Sequence, residues 1–210
     1  MIKHFAIAMS VVALTVSSAF AGEKQSTVVN QALQQAAEDQ TIFAEFLLGT
    51  ASVREMSAQR ALLVRIDEWL AANFELPRAM ELPRVEYAPT AKIAALRYNG
   101  GVVTASAEAT GSIARAAFEQ TTVAIYVDAE KTIYLTDEWS GQRPAELSVL
   151  VHEMVHHMQN LSGIRYECQQ QREKLAYAAQ DKFLRLFSRD LEGEFEVNPF
   201  AVLVRSTCAY

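Results

Sequence analysis

The chain has 210 residues, of which 50% are hydrophobic and 21% are charged. This composition is typical of a globular protein, and it excludes a disordered chain, a collagen and a coiled coil. The 19 Lys and Arg residues against 25 Asp and Glu residues give a net charge of -6, and no basic run occurs, so we expect no nucleic-acid partner.

The first residues have the pattern of a secretory signal peptide. A positive start at Lys3 precedes an apolar run of about 12 residues, and Ala-Phe-Ala at 19–21 is a small-x-small cleavage site. The apolar run is shorter than the roughly 20 residues that cross a bilayer. We therefore expect cleavage after Ala21, a mature chain of one domain (22–210) that is periplasmic or secreted, and no membrane span in that mature chain.

The next segments predict helices followed by extended structure. Residues 26–48 have apolar positions at irregular helical spacing, which indicates a helix with loose boundaries. From Ser57, a suitable N-cap, apolar residues recur every three or four positions up to Phe74 and predict an amphipathic helix. Residues 84–98 are predicted to be extended on both sides of Pro89.

A hairpin and two long helices are predicted for the second half of the chain. Two β-rich runs, 123–127 and 132–135, are separated by a hairpin-sized connection. Pro144 opens the first long helix and Gly163 closes it, and the second runs from about residue 166 to 188. The short connection makes these helices antiparallel neighbours. The predicted fold class is α+β.

The first long helix contains an HExxH motif formed by His152, Glu153 and His156. Histidines four residues apart lie one turn above each other, so both imidazoles can reach one Zn²⁺ ion. Glu153 lies about 100° round the helix, where it can take a proton from a zinc-activated water. The motif therefore predicts a zinc cofactor, two histidine ligands and Glu153 as the catalytic base of a hydrolase.

The second long helix offers two carboxylates as a third metal ligand, Glu167 and Glu173. Glu173 shares a face with the apolar residues that are best placed to pack inward, whereas Glu167 lies about 120° away and close to the turn. The small Ala176, one turn beyond Glu173, lets the helices approach closely. We therefore predict Glu173 as the third ligand, and a solvated surface charge is the alternative.

The HExxH motif is followed, 17 residues after its second histidine, by Glu173 and Ala176 in an ExxA pattern. This arrangement resembles the gluzincin branch of zinc metallopeptidases over roughly residues 120–188. The resemblance implies a zincin-like fold, in which a small antiparallel sheet or hairpin precedes the HExxH helix and a second, antiparallel helix carries the third ligand. A metzincin pattern fails because Ser162 occupies the position of its third histidine.

The resemblance also implies an activity and a way of holding substrate. In gluzincins the two histidines and the downstream glutamate bind zinc, and the motif glutamate is the general base that hydrolyses a peptide bond. The strand before the active helix, here Thr132 to Thr136, pairs with an extended peptide or protein substrate. Many gluzincins have an Asp that orients a histidine where this chain has Tyr177, so the tyrosine hydroxyl is a candidate for that contact or for oxyanion stabilisation, with a packed aromatic ring as the alternative.

Two other functions are compatible with the same residues. A zinc-stabilised binding or scaffold domain would keep the metal without turnover, and a hydrolase of cell-wall peptides would use the same chemistry on another substrate. The remaining polar residues of the motif helix carry weaker expectations. We expect His157 beside the site or at the surface, and Gln159 and Asn160 on the polar face of the helix.

Cys168 and Cys208 are the two cysteines of the chain. An isolated pair in an exported protein usually forms a disulfide bond, whereas metal binding would favour closer spacing than 40 residues. We therefore predict a disulfide bond between them.

Overall fold

The computed structural model describes residues 16–49, 53–99 and 123–208, with the backbone alone for 16–24 and 98–99. Within those ranges the protein is a mixed α+β fold, and no helix there combines the length and the apolar character of a membrane span. The helices are α1 (Val16–Leu48), α2 (Met56–Phe74), α3 (Thr90–Asn99), α4 (Pro144–Ser162), α5 (Gln170–Arg185), α6 (Leu191–Phe195) and α7 (Pro199–Arg205), and the strands are β1 (Arg84–Ala88), β2 (Ala124–Val127) and β3 (Thr132–Thr136).

The sheet has the strand order β1-β3-β2. Strands β2 and β3 form the antiparallel hairpin that the sequence predicts, whereas β1 pairs with β3 in parallel, so the sheet is mixed and not purely antiparallel. Strand β3 is the central strand, and all five of its residues are buried because its side chains enter clusters on both faces of the sheet. The expectation that Thr132 to Thr136 pairs with a substrate strand is therefore wrong, since its backbone groups already pair within the sheet.

The N-terminal half differs from the sequence prediction at several boundaries. Helix α1 contains the predicted helix 26–48 and continues back through Ala21, while residues 1–15 of the predicted signal peptide lie outside the described residues. Helix α2 begins at Met56 after Glu55, so Ser57 lies in the first turn and is not the N-cap.

The segment after Pro89 is a helix and not an extended segment. The Pro89 carbonyl accepts hydrogen bonds from the backbone N–H groups of Lys92 and Ile93, which begins α3. Ile93 is then fully buried, so the helix fixes one apolar side chain against the sheet. Tertiary burial of this kind decides the conformation of a short segment whose local pattern is ambiguous.

The core lies between the helices and one face of the sheet, and α4 runs through it. Every residue of α4 from Glu146 to Gln159 is buried, which is expected of a helix surrounded by other elements. On one side of it an edge-to-face cluster of Phe43, Trp69 and Phe183 joins α1, α2 and α5, with ring centroids 4.9–6.3 Å apart. The core therefore holds α4 in a fixed position.

The turn between α4 and α5 reverses the chain. Gly163 adopts φ 66°, a left-handed conformation that ends α4 as predicted and that favours glycine. Helix α5 begins at Gln170, later than predicted, after a turn in which the N–H groups of Gln171 and Arg172 donate to the carbonyls of Cys168 and Gln169. Cys168 and Cys208 are at disulfide distance, with Cα atoms 5.8 Å apart.

We predict that replacing both cysteines, Cys168→Ser with Cys208→Ser, lowers the free energy of unfolding. The bridge closes a loop across 40 positions of sequence, which constrains the unfolded chain by about 3–4 kcal/mol. Denaturant unfolding of both proteins measures the difference, and reduced wild type is the control that should match the double variant. Two free thiols in denatured, unreduced wild type would contradict the prediction.

Candidate metal centre

The two histidines of the motif lie side by side on α4. Their ring centroids are 4.9 Å apart, and each residue is 9% exposed, so both imidazoles reach the solvent at one edge only. Their separation of four positions places them on the same face of the buried helix. The two imidazoles can therefore bind one ligand together, and a third side chain can reach them from α5.

Helix α5 supplies Glu173 to the same point. One carboxylate oxygen lies 3.1 Å from Nε2 of His152, and the other lies 3.3 Å from Nε2 of His156. One ligand atom from each of the three residues lies within 4.8 Å of the others. The other candidate, Glu167, is exposed near the turn and bonds to Gln171. The structure thus brings together the three residues that were predicted as ligands, and Glu167 is not among them.

Small residues allow this approach. Ala176 and Ala179 are fully buried on the side of α5 that joins the core, and α4 and α5 pack along much of their length. A side chain without a γ carbon lets two helix backbones come close. The close contact of the two helices therefore brings the Glu173 carboxylate within reach of the histidines on α4.

Gln180 orients the first histidine. The hydroxyl of Ser148 donates to the Ala145 carbonyl, so it can only accept from Nε2 of Gln180, at 3.3 Å. The amide oxygen of Gln180 then faces Nδ1 of His152 at 3.0 Å. Because an amide oxygen only accepts, Nδ1 of His152 carries the proton.

Gln159 orients the second histidine in the same way. Its amide nitrogen donates to the Arg172 carbonyl at 3.1 Å, which turns its amide oxygen toward Nδ1 of His156, also at 3.1 Å. The prediction that Gln159 lies on an outer polar face is therefore wrong, because it is buried against α5. Both imidazoles are held by neutral amides from behind.

These contacts leave the lone pairs of both Nε2 atoms pointing at a carboxylate. Burial opposes ionisation of Glu173, but its contacts with His152 and His156 outweigh burial and hold its pKa well below the usual range. Burial likewise lowers the pKa of His156, and the contact with Glu173 more than offsets it, so that pKa is raised. Two lone pairs and an anion facing one another require a positive charge between them, either a proton or a metal ion.

The donor set fits zinc. Neutral imidazole nitrogen and carboxylate oxygen are common zinc ligands, and three protein ligands with one open position are typical of catalytic sites. Two ligand atoms about 2.0–2.1 Å from a tetrahedral zinc ion are about 3.3 Å apart. The measured nitrogen to oxygen separations of 3.1 and 3.3 Å agree with that spacing.

Glu153 lies next to this cluster and differs from the other buried acids. It is 4% exposed, and its negative charge contributes to the raised pKa of His156. Within the described part of the chain its carboxylate has no hydrogen-bond or ion-pair partner. No buried side-chain oxygen or nitrogen of the residues that the structure describes lacks a hydrogen bond, so the carboxylate of this largely buried residue keeps contact with solvent beside the cluster.

Tyr177 packs against the cluster with its ring. The ring centroid lies 4.9 Å from that of His152 at an interplanar angle of 72°, and the hydroxyl accepts a hydrogen bond from Arg205 at 3.1 Å. Tyr177 therefore does not orient a histidine by hydrogen bonding, because Gln180 makes that contact. Sequence reasoning missed this role of Gln180, although its position two helical turns after Glu173 was a usable signal.

His157 lies away from the metal-ligand cluster and inside the core. Its Nε2 donates to the Glu81 carbonyl at 2.7 Å, so its Nδ1 accepts from the Tyr126 hydroxyl at 3.1 Å. Asn160 donates to the same hydroxyl at 3.0 Å and to the Asp128 carbonyl. Burial lowers the pKa of His157, which keeps it neutral. His157 is fully buried, and none of its hydrogen bonds within the described ranges is to a residue of the cluster, whereas Asn160 is half-buried on the polar side of α4; both fasten α4 to the hairpin.

Arg172 fixes the first turn of α5. Its guanidinium makes two bonds to the Asp128 carboxylate, at 2.5 and 2.9 Å, and a third to the His156 carbonyl at 2.9 Å. Bidentate pairs of this kind are specific in geometry. Since Glu173 is the next residue, the pair holds the predicted ligand in register with α4.

The fold and the site define a mixed α+β domain with a buried cluster of two histidines and one glutamate. The chain belongs to the family described as a domain of unknown function, DUF6647, whose model matches residues 55–210. That range contains the whole cluster and Glu153. No curated protein and no solved structure matches the chain.

We predict that Glu173→Gln weakens zinc binding by about tenfold or more, because the neutral amide loses the charge that faces both imidazoles. Glu167→Gln is the matched control on the same side of the turn and should retain wild-type affinity. Zinc titration against a chelator of known affinity measures both. Release of zinc by Glu167→Gln with retention by Glu173→Gln would show that the ligand assignment is wrong.

We also predict that Gln180→Leu lowers zinc affinity by about 10–100-fold, the usual effect of removing the partner behind a ligand histidine. Gln180→Glu keeps an oxygen acceptor for Nδ1 and should restore the affinity. Gln171→Leu, on the same helix, is the control, since that amide bonds to Glu167. A loss that Gln180→Glu fails to restore would indicate a packing role only.

Proposed function

We propose that this protein is a zinc-dependent hydrolase of peptide bonds, with a zincin-like arrangement of gluzincin type. The observation that supports this most is the joint presence of a three-donor cluster and the adjacent buried, unpaired carboxylate of Glu153. A site that only stabilised the fold would have no use for that carboxylate. The signal-peptide pattern and the disulfide pair favour exported or cell-envelope peptides as substrates, outside the cytoplasm.

In this proposal His152, His156 and Glu173 hold the metal. Zinc bound there lowers the pKa of a coordinated water to about 7 and polarises a substrate carbonyl. The three residues contribute one negative charge, so the site remains electrophilic. Gln159 and Gln180 keep both Nε2 lone pairs directed at the metal position throughout.

Glu153 moves the proton. Its carboxylate oxygen takes a proton from the attacking water as the water oxygen bonds to the carbonyl carbon. The same carboxyl group then gives the proton to the amide nitrogen as the C–N bond breaks, so the base is regenerated. Burial without another partner leaves the carboxylate available for both transfers.

Tyr177 is the proposed donor to the carbonyl oxygen. Its hydroxyl accepts from Arg205, which leaves its own proton free to donate. Burial raises the pKa of Tyr177, and the bond from Arg205 only partly opposes this, so the hydroxyl stays protonated near neutral pH. The ring contact with His152 places this donor beside the cluster.

We predict that Glu153→Gln keeps zinc bound while hydrolysis falls by about 10² or more. The amide has the same size as the carboxylate but cannot take the proton. Metal content and cleavage of a mixed peptide pool, analysed by mass spectrometry, measure the two effects separately. Glu192→Gln, an exposed glutamate on α6, is the control.

The same experiment separates the proposal from its rivals. Equal cleavage by wild type and Glu153→Gln would exclude Glu153 as the base. Zinc binding without cleavage of any peptide by wild type would support the scaffold domain. Cleavage restricted to cell-wall peptides would retain the chemistry and change the substrate.

A further inference from the structure

An arginine lies beside the cluster on a helix that the HExxH motif does not include. Arg205 is exposed near the end of α7, and its Nη1 donates to the Tyr177 hydroxyl at 3.1 Å. The Tyr177 ring in turn contacts His152. One aromatic side chain therefore separates the guanidinium from the cluster.

Arg205 bonds to a tyrosine hydroxyl and has no carboxylate partner among the described residues. Arg65, Arg185 and Arg189 each form an ion pair with a nearby acid. The guanidinium has five N–H donors in a fixed fork, and the bond to Tyr177 uses one of them. The others face solvent at the rim of the site.

The fold fixes the position of this arginine. Asn198 caps α7 by accepting from the Ala201 N–H, and Ala201 and Val202 pack on the cluster around Leu184. Cys208, three residues after Arg205, is paired with Cys168 just before α5. Helix α7 is thus attached at both ends to the elements that carry the site.

A second positive charge lies nearby. Arg97 on α3 bonds to the Ala124 carbonyl, and its charge also acts on the Tyr177 hydroxyl. The chain as a whole has a net charge of -6. The two arginines act on the Tyr177 hydroxyl against the charge of Glu173, and the exposed Arg205 favours anionic ligands on its solvent side.

We propose that Arg205 binds a carboxylate of the substrate peptide, which makes the protein selective for peptides that present a carboxylate beside the scissile bond. This inference rests on the proposed function. The Tyr177 ring centroid lies 4.9 Å from that of His152 and 6.0 Å from Cζ of Arg205, a path that three residues of extended peptide cover at about 3.3–3.6 Å each. The carboxylate belongs either to the C-terminus of the peptide or to an acidic side chain, and both accept two hydrogen bonds from a guanidinium.

The test measures binding without turnover. Zinc-loaded Glu153→Gln protein is titrated by calorimetry with three peptides: acetyl-tetraalanine with a free C-terminal carboxylate, its C-terminal amide, and the amide with glutamate at the third position. We expect at least one carboxylate peptide to bind about tenfold more tightly than the plain amide, and the preferred one identifies the source of the carboxylate.

Adding Arg205→Gln should bring the affinity ratio close to one, and adding Arg65→Gln should leave the ratio as it was. Equal binding of all three peptides, no binding of any, or a preference that survives Arg205→Gln would overturn the inference. Failure of the proposed hydrolase function would give a different result from failure of this inference. In that case wild type cleaves none of the peptides while the Arg205-dependent ratio persists.

Discussion

The contact of Glu173 with His152 and His156 is the interaction on which the rest of the structure depends. It joins the two helices that carry the site, and it places an anion against two imidazoles in a largely buried position. Such a group of polar atoms is stable only when each has a partner. Gln159 and Gln180 satisfy the outer nitrogens, which leaves the inner ones for a cation.

Helix α4 meets two demands that are usually divided between different helices. Its apolar residues pack in the core, and most of its polar residues are buried as well, several of them with a specific partner. His157 and Asn160 show this, since their side chains bond to Tyr126 and to backbone carbonyls of neighbouring segments. The consequence is a rigid platform, which a metal site requires if its ligands are to be held accurately.

Local patterns predicted those parts of the fold that local forces decide. Pro144 and Gly163 bounded α4, alternating β-branched residues gave the hairpin, and the turn length gave the antiparallel α5 that brings Glu173 to the histidines. The parallel pairing of β1 was missed because its partner is 48 positions away, and α3 because burial of Ile93 decides its conformation. His157 was expected beside the site or at the surface, but the helix is buried on that side as well, so His157 bonds to Tyr126 and to the Glu81 carbonyl instead.

The neutral amides behind the histidines bear on the charge of the site. A carboxylate behind each imidazole would add negative charge and make the ligands more basic, whereas Gln159 and Gln180 add none. If a divalent cation is bound, Glu173 neutralises one of its two positive charges within the cluster. Glu153 neutralises the second charge only while its carboxylate is ionised. In the proposed reaction, Glu153 becomes neutral when it takes a proton, so the metal and its protein ligands would carry a net positive charge at the step where negative charge develops on the carbonyl oxygen. Arg205 would add to that positive charge through its bond to Tyr177, so the charge arrangement proposed to stabilise an oxyanion is also the one proposed to favour an anionic peptide.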